Sequence, residues 1–412
     1  MKKTLQIAAI AFITLTATAQ QTNVTLSMGA NYANEVYYKL SSQETNTYPA
    51  ASWDIAFMRN DSFNHGIRVN GGIGIQVFEA ADSASDWNNI NVADEASWIP
   101  LYNDDTNWDN GAFMQGSATY GWGEYNPANH HISGSVIFVL KYADGTYRKF
   151  INEDYFSAYT FKYATWNGTA WVGETTATIS NTTNPDNRYN YYSLENDEEV
   201  VAEPAENAWD MVFTKYVTDL GGGMFYGVTG ALHNPNVTVA QNEEPTGDAN
   251  PNGQNYSEEI NTIGYDWKVF ENGLYVVNTD MAYYVKYDES TVYRLAFETF
   301  DGSSTGNLSF NFEDVSDLLG LENISEGVTF GMYPNPSTDK MVSIVYDLKN
   351  SVSQENNISV YNMQGQLVNT SKIDSNNGFF HKTLDLSALQ NGMYLVQFKA
   401  GNSSISKKLI LN

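Results

Sequence analysis

The chain has 412 residues with 48 Asp plus Glu, 21 Lys plus Arg, five His and no Cys, a formal charge of -27. Without cysteine there is no disulfide framework, no thiolate metal site, no thiol nucleophile and no acylated Cys anchor. So acidic a chain also lacks the basic surface that nucleic-acid binding requires, while its 14% aromatic content separates it from disordered chains.

Residues 1–19 read as a signal peptide. Lys2 and Lys3 supply the positive end, Leu5 to Leu15 is a mostly apolar run too short to span a bilayer, and Ala17-Thr18-Ala19 offers small residues for cleavage before Gln20. No later stretch approaches ~18 consecutive apolar residues, so no transmembrane segment is expected in the mature protein.

Residues 20–327 contain an internal duplication. Val36-Tyr37-Tyr38-Lys39-Leu40 and Trp53-Asp54-Ile55-Ala56-Phe57 open the first copy; Val139 to Arg148 and Tyr159 to Tyr163 close it. The second copy repeats the order with Asn190-Tyr191-Tyr192-Ser193-Leu194, Trp209-Asp210-Met211-Val212-Phe213, Tyr284 to Asp288, Val292 to Leu295 and Leu308 to Phe312. We place the copies at 20–180 and 181–327. Tyr, Val, Phe, Thr and Trp dominate, alternation such as Tyr293-Arg294-Leu295 marks half-buried strands, and Asp144-Gly145 is a hairpin turn. In Trp-Asp-x-x-Phe, Asp54 and Asp210 could be paired catalytic carboxylates, but an acid set among core residues is better read as bonding nearby backbone amides or an indole. The long stretches 82–108 and 242–256 read as loops.

Within 242–256, Asp248, Asn250, Asn252 and Gln254, with Gly253 and a Glu259 at the twelfth position, satisfy the oxygen-ligand spacing of a calcium loop; Pro251 and the missing flanking helices leave a solvated coil as the alternative. The run Asn103 to Gly111 is a weaker version of the same pattern. Phosphate-loop, zinc-protease and serine-elbow motifs are all missing, so the chain reads as non-enzymatic. Gly71-Gly72-Ile73-Gly74 and Gly221-Gly222-Gly223 read as bulges or close backbone approaches.

From Val328 onward the charge changes sign: seven Lys face five acids, against 12 basic and 43 acidic residues in 20–327. Short strands separated by Gln364-Gly365 and Asn391-Gly392 suggest a small Ig-like β-sandwich over 328–412. Tyr333-Pro334-Asn335-Pro336-Ser337, Val360 to Gly365, Gly392-Met393-Tyr394-Leu395-Val396 and Lys407-Lys408-Leu409-Ile410 resemble the type A C-terminal sorting domain of the type IX secretion system. That resemblance implies recognition by the secretion translocon through 328–412, removal of the domain, and release or attachment at the outer surface.

The duplicated unit in turn resembles the haem-carrier family typified by HmuY. The Tyr-Tyr-x-Leu and Trp-Asp-Ile-Ala-Phe strands, Gly66 to Gly72, the Tyr-Ala-Asp-Gly-Thr-Tyr-Arg hairpin and Ile263 to Lys268 carry the likeness over about 33–315. The expected architecture is all-β: two tandem HmuY-like units followed by the sandwich. The resemblance implies haem held between His or Met side chains. His130, His131 and His233 are the candidate ligands, with His65, Met114, Met224 and Met281 as further donors; none aligns with a family ligand position. A surface adhesion or glycan-binding module using Trp87, Trp98, Trp108 and Trp122 as exposed aromatics is the alternative. Haem and Ca2+ are thus the cofactor candidates.

Overall fold

The computed structural model describes residues 21–59, 65–182, 184, 186–245, 249–319, 328–348, 356–373, 378–400 and 403–412. The signal segment 1–19 and Asp248 of the calcium pattern lie outside them. The fold is all-β, and two compact units emerge: residues up to 315, apart from 250–253, and the C-terminal remainder.

Four larger sheets and a two-stranded ribbon, Lys268–Glu271 with Leu274–Val277, build the larger unit. An eight-stranded sheet runs Trp171–Ser180, Ala158–Trp166, Tyr147–Tyr155, Ile137–Lys141, Gln76–Ala81, Ile99–Leu101, with Gly123–Asn126 and His131–Gly134 beside it. A five-stranded sheet joins Thr22–Ser27, Asn307–Asp314, Thr291–Phe300, Met281–Asp288 and Thr238–Glu243. Two four-stranded sheets lie between them, and their strands come from both sequence copies. Ile55–Met58 of the first copy pairs with Tyr189–Ser193 of the second, while Met211–Asp219 of the second pairs with Asn34–Tyr38 of the first. Each Trp-Asp strand thus pairs with the Tyr-Tyr-x-Leu strand of the other half of the sequence.

Packing explains why these inner strands are apolar on both faces. Ile55 and Phe57 meet the eight-stranded sheet, Phe57 lying 5.0 Å from Tyr159 and 4.9 Å from Phe161 between ring centroids. Ala56 and Met58, on the opposite face, join Tyr189 and Tyr191. In the other half Val36, Tyr38 and Phe213 meet the five-stranded sheet, and Tyr37 and Val212 face inward. A strand covered on both sides reads as a continuous apolar run rather than an alternating one. Gly72 allows the inner sheets to approach, since a Cβ there would stand 2.2 Å from the Lys215 carbonyl oxygen.

Both Trp-Asp elements are structural. Asp54 accepts the Leu194 N–H at 2.6 Å, and Asp210 accepts the Leu40 N–H at 2.7 Å. Trp53 packs edge-on to Tyr191 at 5.0 Å, as Trp209 does to Tyr37 at 5.1 Å. Stretch 82–108, read as loop, contains the 3-10 turns Ala84–Asn88 and Val92–Ser97. Trp87 and Trp98 drop from it into a cluster with Ile137 and Val139.

The C-terminal unit is a β-sandwich. One sheet holds Val328–Tyr333, Met341–Leu348 and Gly378–Asp385; the other holds Leu367–Lys372, Asn357–Asn362, Gly392–Ala400 and Ser403–Leu411. Val342, Ile344, Val360, Val396 and Leu409 are among its buried core. Among the described residues no helix is long and apolar enough to cross a membrane.

Candidate functional site

The histidines separate into distinct environments. His130 sits at the tip of the hairpin between Gly123–Asn126 and His131–Gly134, its backbone in the left-handed region at φ 64 and its N–H donating to the Asn126 carbonyl. Its Nδ1 lies 2.6 Å from the Tyr125 hydroxyl. The next residue alternates to another environment: His131 Nδ1 pairs with Asp154 at 2.8 Å and its ring stacks on Phe156. His233 is fully buried, with Nδ1 2.9 Å from the Asn234 carbonyl and Nε2 2.8 Å from that of Glu259. Burial lowers its pKa. With both nitrogens turned onto backbone, His233 is a core histidine and not a ligand; the expectation that it could hold haem is corrected on that ground.

His130 and His65 share one cleft of about 750 Å3, lined also by Tyr120, Tyr125, Tyr155 and Phe156. That volume falls within the roughly 300–1,000 Å3 of small-molecule sites. His65 is almost buried, its ring 4.4 Å from Tyr155, and its carbonyl accepts the Trp122 indole N–H at 3.1 Å. Arg59 also lines it, its guanidinium donating to the carbonyls of Asn181 and Asn187. The cleft thus offers two imidazoles, four aromatic rings and a cation. His65 has no periodicity or motif to mark it in the sequence; its place depends on Trp122, 57 positions away.

A second space, about 70 Å3, lies between the inner sheets and has room for a few waters. Its polar groups serve the fold. Glu35 accepts from Thr214 Oγ1 at 2.7 Å and from the Trp53 indole at 3.2 Å, and burial raises its pKa. Arg68 donates to the carbonyls of Asp104, Asn107 and Trp108, so the oxygen-rich run 103–111 wraps a guanidinium. Nearby, burial pushes Glu203 up to about 7 against the opposing Tyr189 N–H and Tyr191 hydroxyl.

Asn250 and Asn252 belong to the C-terminal unit, whereas Gln254 and Glu259 belong to the larger one. Asn250 Oδ1 accepts from the Asn252 backbone at 3.1 Å, and the Asn252 amide donates to the Leu318 carbonyl. Among the described residues no three His, Asp or Glu side chains gather as a metal site. The four tryptophans expected to be exposed are not. Trp87, Trp98 and Trp122 are buried and Trp108 is partly so, its indole donating to the His233 carbonyl at 2.8 Å.

In the C-terminal unit, Tyr361, Met363, Met393, Leu395 and Lys408 line a concave surface of about 520 Å3. They come from the separate motifs noted in the sequence, brought together because Asn357–Asn362 pairs with Gly392–Ala400, and that strand with Ser403–Leu411. Residues 331–412 match the family of the secretion system C-terminal sorting domain. The sorting domain marks the chain for export by the type IX secretion system to the cell surface or extracellular space. No curated protein and no solved structure matches the chain. None of these comparisons supports the likeness of 33–315 to the haem-carrier family.

Proposed function

We propose that the exported body, residues 21–315, is a non-enzymatic carrier of a flat aromatic ligand, haem foremost, held in the cleft of His65 and His130. The observation that carries this reading is the convergence of those two imidazoles in one aromatic-lined cleft. Haem sites need imidazole or thioether donors within an apolar slot, and the side chains present fit that requirement. His65 and His130 would supply the donors, Tyr120, Tyr155 and Phe156 the ring contacts, and Arg59 a cation for the propionates. The signal peptide read at 1–19 would deliver the chain to the periplasm, and the sorting domain would take it onward.

Titrating the purified full-length chain with haemin tests this. The expected result is a shifted, intensified Soret band at micromolar haemin, lost in His130→Ala and in His65→Ala but retained in His131→Ala, whose ring is committed to Asp154. No shift in the unaltered protein, or an undiminished shift in both of the first two variants, would overturn the reading.

A further inference from the structure

On the outer face of the eight-stranded sheet, Trp166 and Trp171 stand directly opposite each other where two long strands meet. Cross-strand partners project to the same side, and the two indoles lie 5.2 Å apart at 61°. The strap of 3-10 turns crosses the same face, so a groove of about 550 Å3 runs between the hairpin end and Asn88, Asn89 and Asn91, with Glu174 beside it. None of these residues lines the histidine cleft.

The groove is held in shape before anything binds. The Trp171 indole donates to the Ile90 carbonyl at 2.7 Å, fixing its ring. The Trp87 indole donates to Glu174 Oε2 at 2.7 Å, which fixes the carboxylate. Asn89 uses its amide N–H on Asp86, and Asn91 uses its amide oxygen on the Ala93 N–H. Both side chains are exposed and line the groove, which leaves the Asn89 amide oxygen as an acceptor and the Asn91 amide N–H as a donor for a ligand. Preorganised side chains lose little entropy on binding.

Charge decides the ligand class. Lys149 donates to the Trp87 carbonyl at 2.6 Å and sits over the Trp87 ring, and Lys162 pairs with Glu153 at 3.1 Å. The nearby cations are therefore engaged, while Glu174 and a chain of net charge -27 repel anions. What remains is indole faces ringed by amide and carboxylate groups. A pyranose matches both, with an apolar C–H face for the indole and hydroxyls that donate and accept at once. We infer that this groove is a binding site for neutral polysaccharide, separate from the proposed histidine cleft.

Affinity electrophoresis of the full-length chain tests the inference, in gels with and without soluble glucan, mannan or xylan. At least one of these should retard the protein, and Trp166→Ala should weaken binding by about tenfold, the size of one lost aromatic contact. The paired variant Asn88→Ala plus Asn91→Asp, which keeps the oxygen that accepts from the Ala93 N–H, should weaken it severalfold should Trp166→Ala fail to fold. Alginate, an anionic glycan, should not retard it. No retardation by any neutral glycan, or equal retardation of the folded variants, would overturn the proposal. A proline-rich peptide that binds in their place would also overturn it. Haemin titration of the same variants should be unchanged, so failure here is distinct from failure of the carrier reading.

Discussion

Asp54 accepts a hydrogen bond from the backbone N–H of Leu194, 140 positions along the chain, and Asp210 accepts one from Leu40 across 170. Each acid thus fastens the end of the Tyr-Tyr-x-Leu strand that its own strand pairs with. The two bonds differ in what surrounds them. Burial raises the Asp54 pKa against the Leu194 N–H and the charge of Arg148. Asp210 also receives Lys39 at 2.7 Å and the Tyr287 hydroxyl. Asp54→Ala, which orphans a buried N–H, should cost about 1–3 kcal/mol. Asp210→Ala also strands a lysine and a tyrosine, and should cost about 3–5 kcal/mol. Urea unfolding of both variants checks the order; equal losses would show that the ion pair adds nothing.

This cross-pairing makes a prediction about halves. Residues 21–180 alone would leave Ile55–Met58 without Tyr189–Ser193, and residues 181–315 alone would leave Met211–Asp219 without Asn34–Tyr38. Neither half expressed alone should unfold cooperatively, because each loses one layer of a covered strand. Mixing the halves should restore the transition seen by circular dichroism. A cooperative transition in either isolated half would contradict this.

The β class was legible because it is written in local pattern: aromatic and β-branched runs broken by turn residues. The cross-pairing was not. Trp-Asp-x-x-Phe can pair with either Tyr-Tyr-x-Leu strand, and which one it takes is a global choice that no local periodicity records. The tryptophans were misread for a similar reason. Trp87 and Trp122 sit among Asn, Asp and Gly, which look solvated, yet their indoles donate to Glu174 and to the His65 carbonyl within the packed unit. His130 was legible only as a histidine; its partner His65 required the three-dimensional fold.

Stability should depend on Glu203. Its pKa rises from 4.5 in the unfolded chain to about 7 in the fold, so between those values the native protein holds the extra proton. Its contribution is fully present below pH 4.5 and is lost as pH rises through 7, a change on the order of 3 kcal/mol. His233 acts in the opposite sense, losing stability as pH falls below the ordinary imidazole range. The comparison of unaltered protein with Glu203→Gln isolates the carboxyl. Thermal unfolding should show the variant with a flatter Tm profile from pH 4.5 to 7; parallel profiles would show that the proton is not held there.

Secretion should separate from folding within the sorting domain. Met363, Met393 and Leu395 are 65%, 42% and 43% exposed, an apolar surface that the sandwich does not use for its own core. Val396, one residue on, is fully buried against Val360 and Leu409. Alternation along Gly392–Ala400 thus puts an exposed apolar row and the packed core on opposite faces of one strand. Met393→Asp plus Leu395→Asp should shift Tm little, since neither side chain leaves a packed site. The same variant should accumulate in the periplasm and disappear from the surface and medium. Val396→Asp buries an unpaired carboxylate and should unfold the domain outright. Cell fractionation alongside calorimetry distinguishes the two. Normal export of the Met393, Leu395 variant would show that the translocon reads another face.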